Sequence, residues 1–181
     1  ACFPEGKTLV SAGVDNTLRV WEVATGEEVA HFKHTIEISF LAVSPDGRTL
    51  ALGSTDNTIR LLEAASGKEV ARLQGHRGGI RSLVFSPDGR TLASWGQMDS
   101  NIRLWDVVAG KETFCLKGDD QQNYRIVFSP DGRILALTGS EDKTVRLWEV
   151  DTGKETFRLM HRRRVFAITF SPDGKTLISG D

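Results

Sequence analysis

Short apolar stretches alternate with short polar segments along the whole chain. The apolar stretches are rich in Val, Ile, Leu, Thr, Phe and Trp, and the polar segments contain Gly, Asp, Asn or Pro. Short stretches bounded by turn residues are typical of antiparallel β-strands joined by hairpins. A turn signal interrupts every window of about 10 residues, which is too often for a helix. The pattern therefore predicts an all-β protein.

The strand pattern repeats with a nearly constant period. The tetrapeptide Ser-Pro-Asp-Gly occurs at 44–47, 86–89, 129–132 and 171–174, and residues 3–6 (Phe-Pro-Glu-Gly) are a weaker copy. Successive prolines of these segments are 41, 42, 43 and 42 residues apart. Each complete period contains four apolar stretches. A period of about 42 residues with four strands is typical of a β-propeller blade.

The units resemble WD repeats, in which Gly-His precedes the first strand and Trp followed by an acidic residue closes the third. The corresponding pairs in this chain are Gly75-His76, Trp105-Asp106, Trp21-Glu22, Trp148-Glu149 and the degraded Leu62-Glu63. The resemblance covers essentially the whole chain. It implies a propeller of four-stranded antiparallel blades that acts as a non-enzymatic scaffold for protein–protein interaction. Ser-Pro-Asp-Gly units are frequent in bacterial members of the family, so the resemblance also implies a bacterial, cytoplasmic protein.

The resemblance further implies a hydrogen-bond network in each blade, in which His, Ser or Thr, Asp and Trp tie the strands together. Ser, His and Asp also form the triad of many hydrolases. Partial copies of the set recur at the same offsets, however, whereas a catalytic site needs one constellation with an oxyanion hole. We therefore predict a structural network and no catalytic residue. Its members are His76, Ser94, Asp99 and Trp105; Thr138, Asp142 and Trp148; Ser11, Asp15 and Trp21; His34 and Asp56; and His161.

The network positions are unevenly filled. In the second unit, Leu52 and Leu62 stand where the hydroxyl and the indole are expected. The first unit has no preceding histidine. At the other end of the chain, His161 stands ten residues before Ser171, just as His76 stands ten residues before Ser86. Blades of this family are commonly built from both ends of a chain, so we expect His161 to complete a first unit.

The chain reads as a single domain, 1–181, that begins at the second strand of a blade. Its repeat units are approximately 1–43, 44–85, 86–128, 129–170 and a partial 171–181. Seventeen strands are expected: three from 8–33, four each from 36–74, 80–117 and 123–159, and two at 164–170 and 176–180.

Four blades would cover little more than half of a seven-bladed ring. Such a half-ring would expose apolar faces and unpaired strands. Three solutions remain open: a compact four-bladed monomer, a piece of a longer chain, and a homodimer that closes a propeller of eight or nine positions. We favour the homodimer, in which residues 161–170 of one chain complete the first blade of the other.

The loops at one end of the blades are the expected site for a protein partner, because function in propellers resides in loops. Residues 161–165 (His-Arg-Arg-Arg-Val) are basic, and residues 118–124 are acidic and amide-rich. They are also explained as solvated loops or as salt bridges at the subunit junction. The candidate partner-binding rim consists of Arg77, Met98, Asp120, Gln122, Glu141, Arg162 and Arg164.

Charge and composition narrow the function further. The net charge is −1, and no broad basic surface with stacking aromatics is evident, so nucleic acid is not predicted as a partner. No apolar run approaches the roughly 20 residues that span a bilayer. The two cysteines lack metal-ligand spacing, and neither a metal nor a cofactor is predicted. Two other functions are less favoured: a fragment or engineered derivative without a function of its own, and an enzyme that uses the propeller channel.

Overall fold

A computed structural model describes residues 1–13, 15–118, 125–138 and 142–181. Within these ranges the chain forms seventeen β-strands and no helix, which confirms the predicted all-β fold. The strands are β1 (Thr8–Ala12), β2 (Thr17–Glu22), β3 (Glu28–Lys33), β4 (Ile38–Val43), β5 (Thr49–Ser54), β6 (Thr58–Glu63), β7 (Glu69–Gln74), β8 (Ile80–Phe85), β9 (Thr91–Gly96), β10 (Asn101–Asp106), β11 (Lys111–Lys117), β12 (Ile126–Phe128), β13 (Ile134–Thr138), β14 (Thr144–Glu149), β15 (Lys154–Met160), β16 (Ala167–Phe170) and β17 (Leu177–Gly180).

The strands form five antiparallel sheets in chain order. The first sheet contains β1–β3, the second β4–β7, the third β8–β11, the fourth β12–β15 and the fifth β16–β17. Within each sheet, every strand pairs with the next one along the chain, as in hairpins and meanders. The second, third and fourth sheets are therefore the predicted four-stranded antiparallel blades. The first sheet has the second to fourth strands of a blade, and the fifth sheet has the first two.

The Ser-Pro-Asp-Gly segment builds the turn between the first and second strands of each blade. In the second sheet, Ser44 Oγ donates to Asp46 Oδ1 at 2.6 Å and accepts from the Thr49 N–H at 2.9 Å. Gly47 has φ of 72°, a left-handed conformation that glycine adopts without steric cost. The same bonds recur at the other three copies, so this tetrapeptide marks the period because it encodes a defined turn.

The hydrophobic cores lie between neighbouring sheets. Leu61 of the second sheet and Trp105 of the third, for example, belong to one core. The second strand of each complete blade is covered on both faces, and the successive residues Leu50, Ala51 and Leu52 are all fully buried. Burial on both faces explains why these strands read as continuous apolar runs without alternation. Among the residues described, no helix has the length and apolarity that crossing a membrane requires.

Candidate functional site

The third sheet contains the most complete polar cluster, which joins His76 to Ser94, Asp99 and Trp105. His76 Nδ1 lies 2.7 Å from Asp99 Oδ2, and His76 Nε2 lies 2.7 Å from Ser94 Oγ. The Trp105 indole N–H donates to Ser94 Oγ at 2.7 Å. Because an ionised carboxylate only accepts, a neutral His76 donates from Nδ1 to Asp99 and accepts at Nε2 from the Ser94 hydroxyl. The four side chains form one directed chain of hydrogen bonds from the indole to the carboxylate.

The protonation states follow from burial and from these bonds. Burial lowers the pKa of His76, and the hydrogen bond to Asp99 only partly opposes this shift. Burial on its own would raise the pKa of Asp99, but hydrogen bonds from His76 and from the backbone N–H groups of Asn101 and Arg77 outweigh it, so that pKa is lowered. A neutral imidazole next to an ionised carboxylate is the state that the directed chain requires.

The arrangement has the connectivity of a Ser–His–Asp triad, but a substrate cannot reach its serine oxygen. Ser94 is 0% exposed, and its oxygen already accepts from the Trp105 indole. A nucleophile must have its oxygen within reach of a substrate carbonyl. This cluster can therefore not attack a substrate without opening the sheet. Its effect is to link the second and third strands of the blade, the turn between them and the segment that precedes the first strand.

The first sheet holds a partial version of the cluster. The Trp21 indole donates to Ser11 Oγ at 2.8 Å, as Trp105 does to Ser94. Asp15 accepts from the Thr17 hydroxyl at 2.7 Å and pairs with Arg19 at 3.1 Å. Hydrogen bonds from these two side chains lower the pKa of Asp15.

The fourth sheet uses its network residues differently. Thr138 Oγ1 accepts from the Arg125 N–H at 3.0 Å, and Asp142 accepts from the Thr144 N–H at 3.0 Å. The Arg146 guanidinium lies over the Trp148 ring, 4.4 Å from its centroid, in a cation–π arrangement.

The second sheet shows the consequence of the two leucines. Leu52 and Leu62 are fully buried, and within the described structure the buried Nε2 of His34 has no hydrogen-bond partner. Burial lowers the pKa of His34. Asp56 does not pair with His34 and instead accepts from the Thr58 hydroxyl at 2.6 Å.

His161 lies in a further copy of the arrangement, in the fifth sheet. Its Nε2 lies 2.8 Å from Ser179 Oγ, and its Nδ1 lies 3.5 Å from Asp181 Oδ2. Within one chain, His161 is therefore placed with residues of the fifth sheet and not with Ser11 and Asp15 of the first. The reason is local, because β17 takes the second-strand position beside β16 and brings Ser179 opposite Ile168.

The structure also contains a repeated ion pair that the sequence analysis missed. The third residue of each third strand is an arginine that pairs with a glutamate nine residues later, near the start of the fourth strand. The pairs are Arg19–Glu28, Arg60–Glu69, Arg103–Glu112 and Arg146–Glu155. The constant spacing was the signal that could have revealed them. Hydrogen bonds from Arg158 and Arg146 lower the pKa of Glu155 to about 2.

Four of the seven predicted rim residues lie in the described structure, and all four are exposed. They are Arg77, Met98, Arg162 and Arg164. Met98 is 81% exposed and has φ of 57°, an uncommon conformation for a residue other than glycine. Beside this site, Arg81 donates to Gln97 Oε1 at 3.1 Å. The other three predicted rim residues, Asp120, Gln122 and Glu141, lie outside the described residues.

The repeated sheets, their Ser-Pro-Asp-Gly turns and the His–Ser–Asp–Trp cluster define a repeat protein of the propeller-blade class. A family model described as "WD domain, G-beta repeat" matches residues 1–22, 67–106, 110–149 and 153–181. These matches cover more than half of the chain, which therefore belongs to the WD40 repeat family. A second model, "Anaphase-promoting complex subunit 4 WD40 domain", matches residues 33–81. No curated protein matches the chain in a sequence comparison.

Proposed function

We propose that this protein is a non-enzymatic scaffold for protein–protein interaction. The observation that carries the proposal is the division of polar groups between the interior and the rim. The His–Ser–Asp–Trp cluster is used within the sheet, with Ser94 fully buried. The four described rim side chains, by contrast, are exposed in segments between strands, where propellers present binding groups. WD40 repeats favour the same role, and one matching family model is named for a subunit of a complex.

The proposed partner-binding rim includes Arg77, Met98 and Arg162. Arginine is enriched among residues that dominate binding energy, and methionine adapts its shape to a partner. A protein partner captured by this chain should be lost on Arg77→Ala or Met98→Ser and retained on Val108→Ser, which changes an exposed residue of another turn. Equal loss from all three variants, or from none, would contradict the proposed rim.

The competing class is an enzyme that uses a propeller channel. A screen for hydrolase and lyase activities separates the two classes. The scaffold proposal expects no turnover above background from the purified chain. Turnover that co-purifies with the chain and is lost on substitution of one of its residues would overturn it.

We also propose that the chain assembles as a homo-oligomeric propeller of eight or nine positions. In the first sheet, only Ala1 and Cys2 occupy the first-strand position, where they pair with Val10 and Leu9. The fifth sheet, by contrast, has the first strand β16 and His161 in the matching register. Residues 161–170 of one chain would then complete the first sheet of another. Light scattering after size exclusion should give about twice the chain mass of 19.9 kDa. A monodisperse monomer would favour the alternative, a piece of a larger WD-repeat protein without an independent function.

The repeat type adds an expectation about the source. Because the turns have the Ser-Pro-Asp-Gly form, we place the protein in the cytoplasm of a bacterium. The genome that encodes the chain and fractionation of its cells test this placement.

A further inference from the structure

One contact recurs between every pair of neighbouring sheets from the first to the fourth. A side chain of the outermost strand of one sheet covers the glycine in the turn between the third and fourth strands of the next sheet. A methyl group on Gly153, for example, would lie 2.6 Å from Phe114 Cδ1. The three contacts are Phe32 with Gly67, Ala71 with Gly110 and Phe114 with Gly153.

The fourth sheet has the side chain that makes this contact, Phe157, but among the described residues no turn glycine lies beneath it. Phe157 occupies in β15 the position that Phe114 occupies in β11, because each pairs with the equivalent leucine of the third strand. Phe157 is 64% exposed, and the neighbouring Leu159 is 43% exposed, compared with 3% for Leu116 of the third sheet. The outer half of the fourth sheet is therefore an uncovered apolar surface. We call the surface formed by Phe157 and Leu159 the outer patch.

The first sheet presents the other half of the contact. Gly26 lies in the equivalent turn, and a methyl group there would have no neighbour within 4 Å. Val23 precedes this turn as Val150 does in the fourth sheet, yet Val23 is 53% exposed and Val150 only 8%. Val150 is buried because it packs in the core with Leu116. We call the surface formed by Val23 and Gly26 the turn patch.

We propose that the outer patch binds the turn patch of a second copy of this chain. The inference rests on the homo-oligomer proposed above and deepens it by naming the contacting surfaces. The interface continues one that the chain already forms three times within itself, with the same types of residue at the same positions. Each junction joins two different surfaces, and in a two-fold dimer the two junctions are identical.

The fifth sheet shows why the first sheet of a second copy fits better than another partner. Its strands β16 and β17 pack on the inner half of the fourth sheet, in a core with Val145 and Ile168. The outer half lacks the third and fourth strands of a following blade, and the first sheet consists of a second, third and fourth strand. The missing strands and the available strands thus correspond.

The correspondence includes one overlap, since residues 3–13 and 171–181 are both second-strand segments. Pro130 of the fourth sheet covers Gly174, at 3.4 Å from a methyl group placed there, whereas Gly6 has no such neighbour within 4 Å. Docking of a second copy therefore exchanges segments: residues 3–13 of the incoming chain take the position of 171–181, and Gly6 takes the place of Gly174 under Pro130.

Sedimentation equilibrium of the full chain tests the interface with one variant on each surface. Phe157→Ser removes the ring of the outer patch, and Val23→Asp places a charge in the turn patch. Both residues are exposed, so the fold should tolerate the changes. Loss of one buried Phe side chain should weaken each junction about tenfold to a hundredfold, and since a closed dimer has two such junctions, the dissociation constant should rise by about 10²–10⁴. Val108→Ser is the matched control, because Val108 is 90% exposed in a turn of the third sheet; it should leave association unchanged.

Mixing the two variants tests whether the outer patch of one copy meets the turn patch of the other. Phe157→Ser protein keeps an intact turn patch, and Val23→Asp protein keeps an intact outer patch. An equimolar mixture should therefore associate more tightly than either variant alone. Absence of this rescue, or a wild-type dissociation constant in both variants, would overturn the interface while leaving self-association in place. A wild-type chain that stays monomeric at every concentration would instead refute the homo-oligomer itself.

Discussion

Ser94 is the residue on which the polar cluster of the third sheet depends. Its hydroxyl oxygen lies 2.7 Å from both His76 Nε2 and Trp105 Nε1. Ser94→Ala leaves two buried groups without a partner, an imidazole acceptor and an indole donor. Each buried group left unsatisfied costs about 1–3 kcal/mol. The free energy of unfolding should therefore fall by about 2–6 kcal/mol, a large share of the roughly 5–15 kcal/mol typical of a folded domain.

The first sheet provides the matched control for this change. Ser11 accepts from the Trp21 indole at 2.8 Å, but both residues are partly exposed, and among the described residues no histidine bonds to the hydroxyl. Water can replace the lost acceptor there, so Ser11→Ala should cost only about 0.5–1.5 kcal/mol. Urea unfolding followed by tryptophan fluorescence measures both values. If Ser94→Ala costs no more than Ser11→Ala, the cluster does not stabilise the third sheet in the way proposed.

Three further predictions use the titrating groups and the sheet contacts. Burial holds the pKa of His76 below its ordinary value of 6.5, so just below that pH the unfolded chain binds more protons than the folded chain. The free energy of unfolding should therefore fall on acidification in this range. His76→Asn should flatten this slope in urea unfolding between about pH 7 and 5. The pKa of Glu155 is lowered from 4.5 to about 2, so its ionised carboxylate contributes stability that is lost as the pH falls between these two values. Glu155→Gln should remove that part of the acid transition seen by circular dichroism. Gly153→Ala should cost more in melting temperature than Gly110→Ala: both have positive φ, but the added methyl group lies 2.6 Å from Phe114 Cδ1 in the first case and 3.5 Å from Ala71 Cβ in the second. Equal costs would mean that Phe114 moves aside freely.

The strand pattern was predictable because its signals are local. The Ser44 hydroxyl, the Asp46 carboxylate and the left-handed Gly47 specify a turn through bonds that span at most five residues. Every copy of this turn separates two strands, so the number and order of the strands follow from the period.

The polar site was less accessible to sequence reasoning. The arginine–glutamate pairs repeat with a constant spacing, yet charged residues on a strand are equally expected on a solvated face. The left-handed Met98 has no sequence signature, since glycine and asparagine are the residues that usually adopt this conformation. Residues with the same repeat position also have different partners, as His76 and His34 show, because the partner depends on whether the facing residue is Ser94 or Leu52.

The sequence by itself determined the repeat length, the strands, the turns and the family, because short-range hydrogen bonds and backbone preferences encode them. Only the tertiary structure decided which sheet faces are covered. Leu116 and Leu159 occupy the same position in successive repeats, but one is 3% and the other 43% exposed. The difference arises because burial depends on the sheet that packs against the residue, and a repeat sequence does not show where that neighbouring sheet is present.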